Sequence, residues 1–202
     1  MKKFITLALA LCMALSASIC ASAAEVNTDG GSGSTPVYLS STEDGTLDGD
    51  PSATAMSVTV PTALPMAMSQ TGDVTTADNC QIINNSYGAV RVKSVNITTA
   101  NGWRLTAFGD KSTLASEKVD SNQLGFAICI GDGEWAVTDS SDESAQALIS
   151  APIAGCYMSG VGNATNNSVS VDYSAIVTPL STPVTNANIA NVVFVIEWDT
   201  AA

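Results

Sequence analysis

The chain has 202 residues, 46% of them hydrophobic, and carries 19 Asp+Glu against 7 Lys+Arg with no histidine. The missing histidine removes the commonest general base, the Ser-His-Asp and Cys-His dyads and most zinc sites. A net charge of −12 repels nucleic acid and anionic membranes, so neither is expected as a partner.

Lys2 and Lys3 form a positive start, Phe4 to Leu15 an apolar run, and Ala21-Ser22-Ala23 a small-residue cleavage site. This is the pattern of an export signal. The run is shorter than the roughly 20 residues that span a bilayer. Residues 1–23 are therefore read as a signal peptide, cleaved after Ala23 or Ala24, with no membrane insertion afterwards. Cys20 does not mark a lipoprotein, because Ile19 stands where such signals want a small residue. Cleavage would leave five cations against 19 acids, a net charge of −14. The expected location is outside the cell or on its surface.

Residues 24–53 form a flexible, acidic, Gly/Ser-rich lead. Gly30 to Ser34 has linker composition. Pro36-Val37-Tyr38-Leu39-Ser40 is the one extended candidate within it, free to pair with something. Asp44-x-Thr46-x-Asp48-Gly49-Asp50 partly follows the spacing of a calcium loop, but Ala55 stands where the bidentate Glu belongs and the flanks are not helical. It is read as a solvated linker, and no cofactor is expected; calcium is the alternative.

Residues 54–202 are long enough for one domain with a core. Met56, Val58 and Val60 alternate until Pro61 ends the strand. Leu64 to Met68, Cys80 to Asn84 and Ala89 to Thr99 follow, separated by turn chemistry at Thr71-Gly72-Asp73 and Asn84 to Gly88. Val90 and Val92 share one face, whereas Val95 and Ile97 fall out of phase. That mismatch predicts a β-bulge near Lys93-Ser94. After Ala100-Asn101-Gly102, Trp103 and Leu105 share a face. Leu124 to Ile130 is apolar on both faces, as a strand between covered layers would be. Asp132-Gly133 is a tight-turn signal, with Glu134 to Val137 as its return strand. Ser141 with Ala145 to Leu148 is the one helix start, short, capped by Ser141. Val169 to Val177 alternates cleanly, and Asn191 to Trp198 is apolar on both faces, fit for a central strand or one that enters a partner.

The sum is an all-β chain: an antiparallel β-sandwich, Greek-key or jelly-roll-like, of about eight to ten strands with at most one short helix. Cys80, Cys129 and Cys156 follow the signal, too few for a disulfide framework; Cys129–Cys156 is the pairing the sequence offers.

Catalytic signals are sparse, and no enzyme is expected. Glu134 beside Trp135 and Glu197 beside Trp198 are the two carboxylate–indole pairs that a sugar-cleaving site would use. Packed or rim tryptophans with solvent-facing carboxylates are the expectation instead. Asn96-Ile97-Thr98 and Asn163-Ala164-Thr165 match glycosylation acceptors.

Val58-Thr59-Val60-Pro61, Asn84-Asn85-Ser86, Gly102-Trp103-Arg104-Leu105, Tyr173-Ser174-Ala175 and Val193 to Trp198 resemble secreted surface proteins of Gram-positive bacteria. The families are the WxL cell-wall-binding domain and the TasA/camelysin fibre proteins. Trp103-Arg104-Leu105 reproduces one Trp-x-Leu motif, whereas Trp198-Asp199-Thr200 has Thr where the second expects Leu. The resemblance implies a β-sandwich, a surface location and a non-catalytic role, with Trp103 and Leu105 as carried-over contacts. Two functions are expected to compete. One is a wall-associated or fibre- and matrix-forming structural protein that joins other surface proteins or itself by β-strand addition, with Thr35–Ser41 as donor. The alternative is an extracellular binding module that presents Trp135 and the loop Gly160 to Asn167, Asn163 included, to peptidoglycan or another glycan.

Overall fold

The computed structural model describes residues 23–25, 27–36, 55–139 and 143–200. In chain order the strands are β1 (Ala23–Glu25), β2 (Ser32–Pro36), β3 (Val58–Pro61), β4 (Met66–Met68), β5 (Val74–Thr76), β6 (Gln81–Asn84), β7 (Val90–Thr99) and β8 (Arg104–Leu105). After a one-turn helix α1 (Ser112–Ala115) come β9 (Gln123–Ile130), β10 (Ala136–Val137), β11 (Ala145–Ile149), β12 (Tyr157–Met158), β13 (Ser168–Val177) and β14 (Ala190–Trp198). The fold is the expected all-β sandwich of antiparallel sheets. Six of the fourteen strands span only two or three residues, too few for alternation to register in a sequence.

One sheet runs β1-β3-β6-β13-β9-β10, with β8 beside β9; the other runs β11-β7-β14-β2, with β12 also on β7. A separate hairpin joins β4 to β5. All pairs are antiparallel except β8 with β9. Val58, Ile82, Ile128, Ile130 and Val171 of the first sheet and Val92, Val95, Ile97, Val192, Phe194 and Ile196 of the second are fully buried in one core. Each such aliphatic or aromatic side chain contributes roughly 1.5–3 kcal/mol.

The predicted bulge is present. Val195 lies opposite Ser94, and Ile196 lies opposite Val92, so the register shifts across Lys93-Ser94. The extra residue brings Val90 and Val92 on one side and Val95 and Ile97 on the other to the same buried face. Asn101 and Gly102 then turn the chain with φ values of 52° and 81°, and the Trp103 N–H donates to Ala100 O at 3.0 Å. Beyond that turn the chain does not pair back onto β7. It crosses to the other sheet, where Leu105 stands opposite Leu124.

Three expectations change. The predicted helix at Ala145 to Leu148 is strand β11, paired along Val95 to Thr98 of β7. Its residues alternate in exposure, and pairing along β7 supplies backbone hydrogen bonds that a single exposed turn would lack. Ser141 and Asp142 lie outside the described residues. In the lead, Ser32 to Ser34, read as flexible linker, is paired strand; its partner β14 supplies an open row of backbone groups that any chain can satisfy. The extended candidate Pro36–Ser40 overlaps that strand only at Pro36, its remainder and the Asp44–Asp50 loop lying outside the described residues. Finally, Cys129–Cys156 is not bonded, and none of the three described cysteines is in a disulfide. Cys156 joins the core, while Cys129 alternates with the core residues Ile128 and Ile130 and so faces the opposite side of β9.

Candidate functional site

The sequence singles out Trp103, Leu105, Trp135 and Asn163 for binding, and the structure sets them in different surroundings. Leu105 is fully buried, and its N–H donates to Glu143 O at 2.7 Å. Trp103 is half-buried and packs on the core. The carried-over contact at Leu105 is therefore corrected to core packing. Where the chain crosses between sheets, its apolar side chains turn inward.

Asn163 lies on the exposed loop 160–167 between β12 and β13. A buried polar platform holds this loop. Ser86 Oγ accepts from the Ser57 N–H at 2.8 Å and donates to Ser57 O at 3.1 Å. Asn84 Oδ1 accepts from the Ser86 N–H, and Asn84 Nδ2 donates to Gly88 O and Ser159 O, each at 2.9 Å. The Val161 N–H donates to Ser86 O at 2.8 Å. Both side chains are fully buried, so each unmet partner would carry a desolvation cost. Asn84 and Ser86 thus position the loop that bears Asn163. Their run reads in the sequence only as turn chemistry.

Trp135 stands elsewhere, just after the turn that ends β9. The Gly133 N–H donates to Ile130 O at 3.0 Å, closing that turn, and Ala136 pairs with Ile128. Trp135 is 52% exposed. It lines a shallow groove of about 250 Å³ whose other wall includes Leu148, Ser150, Ala151 and Ile153. Glu134 lines the same groove. Nothing in the sequence signals the second wall. It is set by backbone docking: a Cβ on Gly155 (φ +88°) would lie 2.3 Å from Ile130 O, and one on Gly133 would lie 2.6 Å from Ala154 O. Only glycines let the two loops meet this closely.

Glu197, the other carboxylate beside an indole, is occupied. Arg91 Nε donates to it at 2.8 Å, and Lys93 Nζ lies 3.0 Å from its second oxygen. The Lys93 hydrogen bond, then that from Arg91, holds the Glu197 carboxyl below the usual range. Arg91 also reaches Asp199 at 3.5 Å and lies 6.0 Å from the centre of the Tyr157 ring. Glu134 lines the Trp135 groove, whereas Glu197 is held by the two cations of β7.

The thiols are placed for inertness. Cys129 Sγ donates to Gly133 O at 3.1 Å. Burial, then the nearby Asp172 and Asp132 charges, raises its pKa, and burial raises that of Cys156. Both stay protonated near neutral pH, which makes them poor nucleophiles. Among the described residues no group of three or more His, Cys, Asp and Glu side chains is placed to hold a metal ion. No helix among them is long and apolar enough to cross a membrane. The chain matches no protein-family model, no curated protein and no solved structure compared with it.

Proposed function

We propose that this chain is a non-catalytic, secreted cell-surface protein, wall-associated or fibre- and matrix-forming, that joins copies of itself or other surface proteins by β-strand addition. The observation that supports it is strand β2. It closes the outer edge of β14, with Ser32 opposite Val195 and Pro36 opposite Asn191. The Ile196 N–H donates to Gly31 O at 3.0 Å, and the Trp198 N–H to Asp29 Oδ1 at 2.8 Å. Ser-Gly-Ser-Thr-Pro has little intrinsic strand preference, so the pairing rests on backbone hydrogen bonds. A cover of that kind is interchangeable: the lead of a neighbouring copy satisfies β14 as well as its own does. The resemblance to surface and fibre proteins points the same way.

Electron microscopy and size-exclusion chromatography of the chain from residue 24 onward test the proposal. Filaments or a ladder of multimers are expected, and deletion of residues 24–41 should abolish them. A synthetic peptide of residues 24–41, added in excess, should cap the intact chain at monomers. A strictly monomeric intact chain, or assembly indifferent to both deletion and peptide, would sink it.

A further inference from the structure

The Trp135 groove is a feature that strand addition leaves unused. Trp135 is half exposed, whereas Trp103 and Trp198 are partly buried against the core. Exposing an indole gives up burial that aromatic side chains normally contribute. The loops behind it pack backbone to backbone at Gly131, Gly133 and Gly155, where a Cβ would collide with the facing loop.

Its chemistry narrows the occupant. The walls offer a flat indole, the alkyl groups of Leu148, Ala151 and Ile153, one carboxylate at Glu134 and one hydroxyl at Ser150. No Lys or Arg lines it. A phosphate or carboxylate ligand would face Glu134 inside a chain of net charge −12, with nothing there to neutralise it. Drug-sized apolar ligands take cavities of about 300–1,000 Å³ that enclose them, and this groove is smaller and open. A pyranose fits both constraints. One face of the ring is a set of C–H groups that can lie on the electron-rich indole face, and its rim carries hydroxyl donors for the Glu134 carboxylate. We infer that the groove binds one neutral sugar ring of a glycan chain. Trp135 is the stacking platform and Glu134 the hydroxyl acceptor, and the Asn163 loop takes no part. This site is independent of strand addition.

The test is an NMR titration of the intact mature chain, following the Trp135 indole N–H, assigned with Trp135→Phe. The probes are chitotetraose, cellotetraose and, as the anionic counterpart, tetragalacturonate. A saturable shift of that signal with a neutral probe is expected, with weaker or no response to the anionic one. Trp135→Ala should weaken glycan retention by roughly tenfold or more, the scale of a lost central contact, and Glu134→Ala should weaken it less. Asn163→Ala should leave it unchanged. No shift with either neutral probe, or a stronger response to tetragalacturonate, overturns the inference. Equal binding by folded Trp135→Ala, checked by circular dichroism, does the same. Filament assembly, scored separately, is expected to survive Trp135→Ala, so loss of one property is read apart from loss of the other.

Discussion

Thr138 shows how one side chain ties separate segments together. Its N–H donates to Phe126 O at 2.9 Å, its Oγ1 accepts from the Phe126 N–H at 2.9 Å, and the same hydroxyl donates to Thr106 O at 2.6 Å. Thr138 is 1% exposed, so water cannot replace a lost partner. Thr138→Val keeps the shape and removes the hydroxyl, leaving the Phe126 N–H and Thr106 O unmatched. Denaturant unfolding should report a loss of about 1–3 kcal/mol, and Thr138→Ser should recover most of it. None of this is legible in the sequence, where Thr138 is one polar residue after a short strand. Alternation tells which side of a strand faces inward; it does not tell which distant carbonyl a hydroxyl will meet. Trp103 and Trp135 teach the same lesson. Both are tryptophans beside short strands, and only packing by distant segments decides that one is partly buried on the core and the other lines a groove.

At the scale of elements, β7 and β14 hold the most legible and the most functional-looking features together. The slip at Lys93-Ser94 is readable because the valines before and after it cannot share a face without an extra residue. Its consequence is electrostatic as well as steric. Arg91 and Lys93, on either side of Val92, both reach Glu197 across the strand pair. Because the Glu197 pKa is lowered in the folded state, its pairing favours the fold above the unfolded carboxyl pKa. That contribution disappears as pH falls through the folded value. Melting temperature in Glu197→Gln should therefore fall below wild type at neutral pH, and the two curves should converge below the usual carboxylate range. High salt should shrink the gap, since these side chains are partly solvated. The helix expected at Ala145 to Leu148 marks the opposite case. Four residues of pattern fit either state, and the open side of β7 chose the strand.

For the whole molecule, sheet position ranks the segments by persistence. β13 pairs with β6 and β9, and β14 with β7 and β2, so both are interior strands, whereas β2 and β1 are edges. Native-state hydrogen exchange should find the slowest amides in β7, β9, β13 and β14. The Ser32 to Pro36 amides should exchange well before them, at a free energy below global unfolding. Uniform protection across β2 and β14 would argue that the cover is permanent. The two-layer plan was legible from the spacing of strands and turns. The seat of the lead was not, because a Gly/Ser segment has no pattern of its own and takes its conformation from the edge it meets.

The place of β14 also sets an order in time. It is the last strand among the described residues, yet it stands between β7 and β2 in its sheet. Until residues 190–198 emerge, β7 lacks its long partner and β2 has no strand to pair with. The β14–β7 and β14–β2 pairs of the second layer wait for these residues, whereas β11 and β12 can already meet β7, and contacts between such distant segments form slowly. A chain read as exported gains from that delay. Were it exported as proposed above, the delay would leave it open for translocation and let it close afterwards.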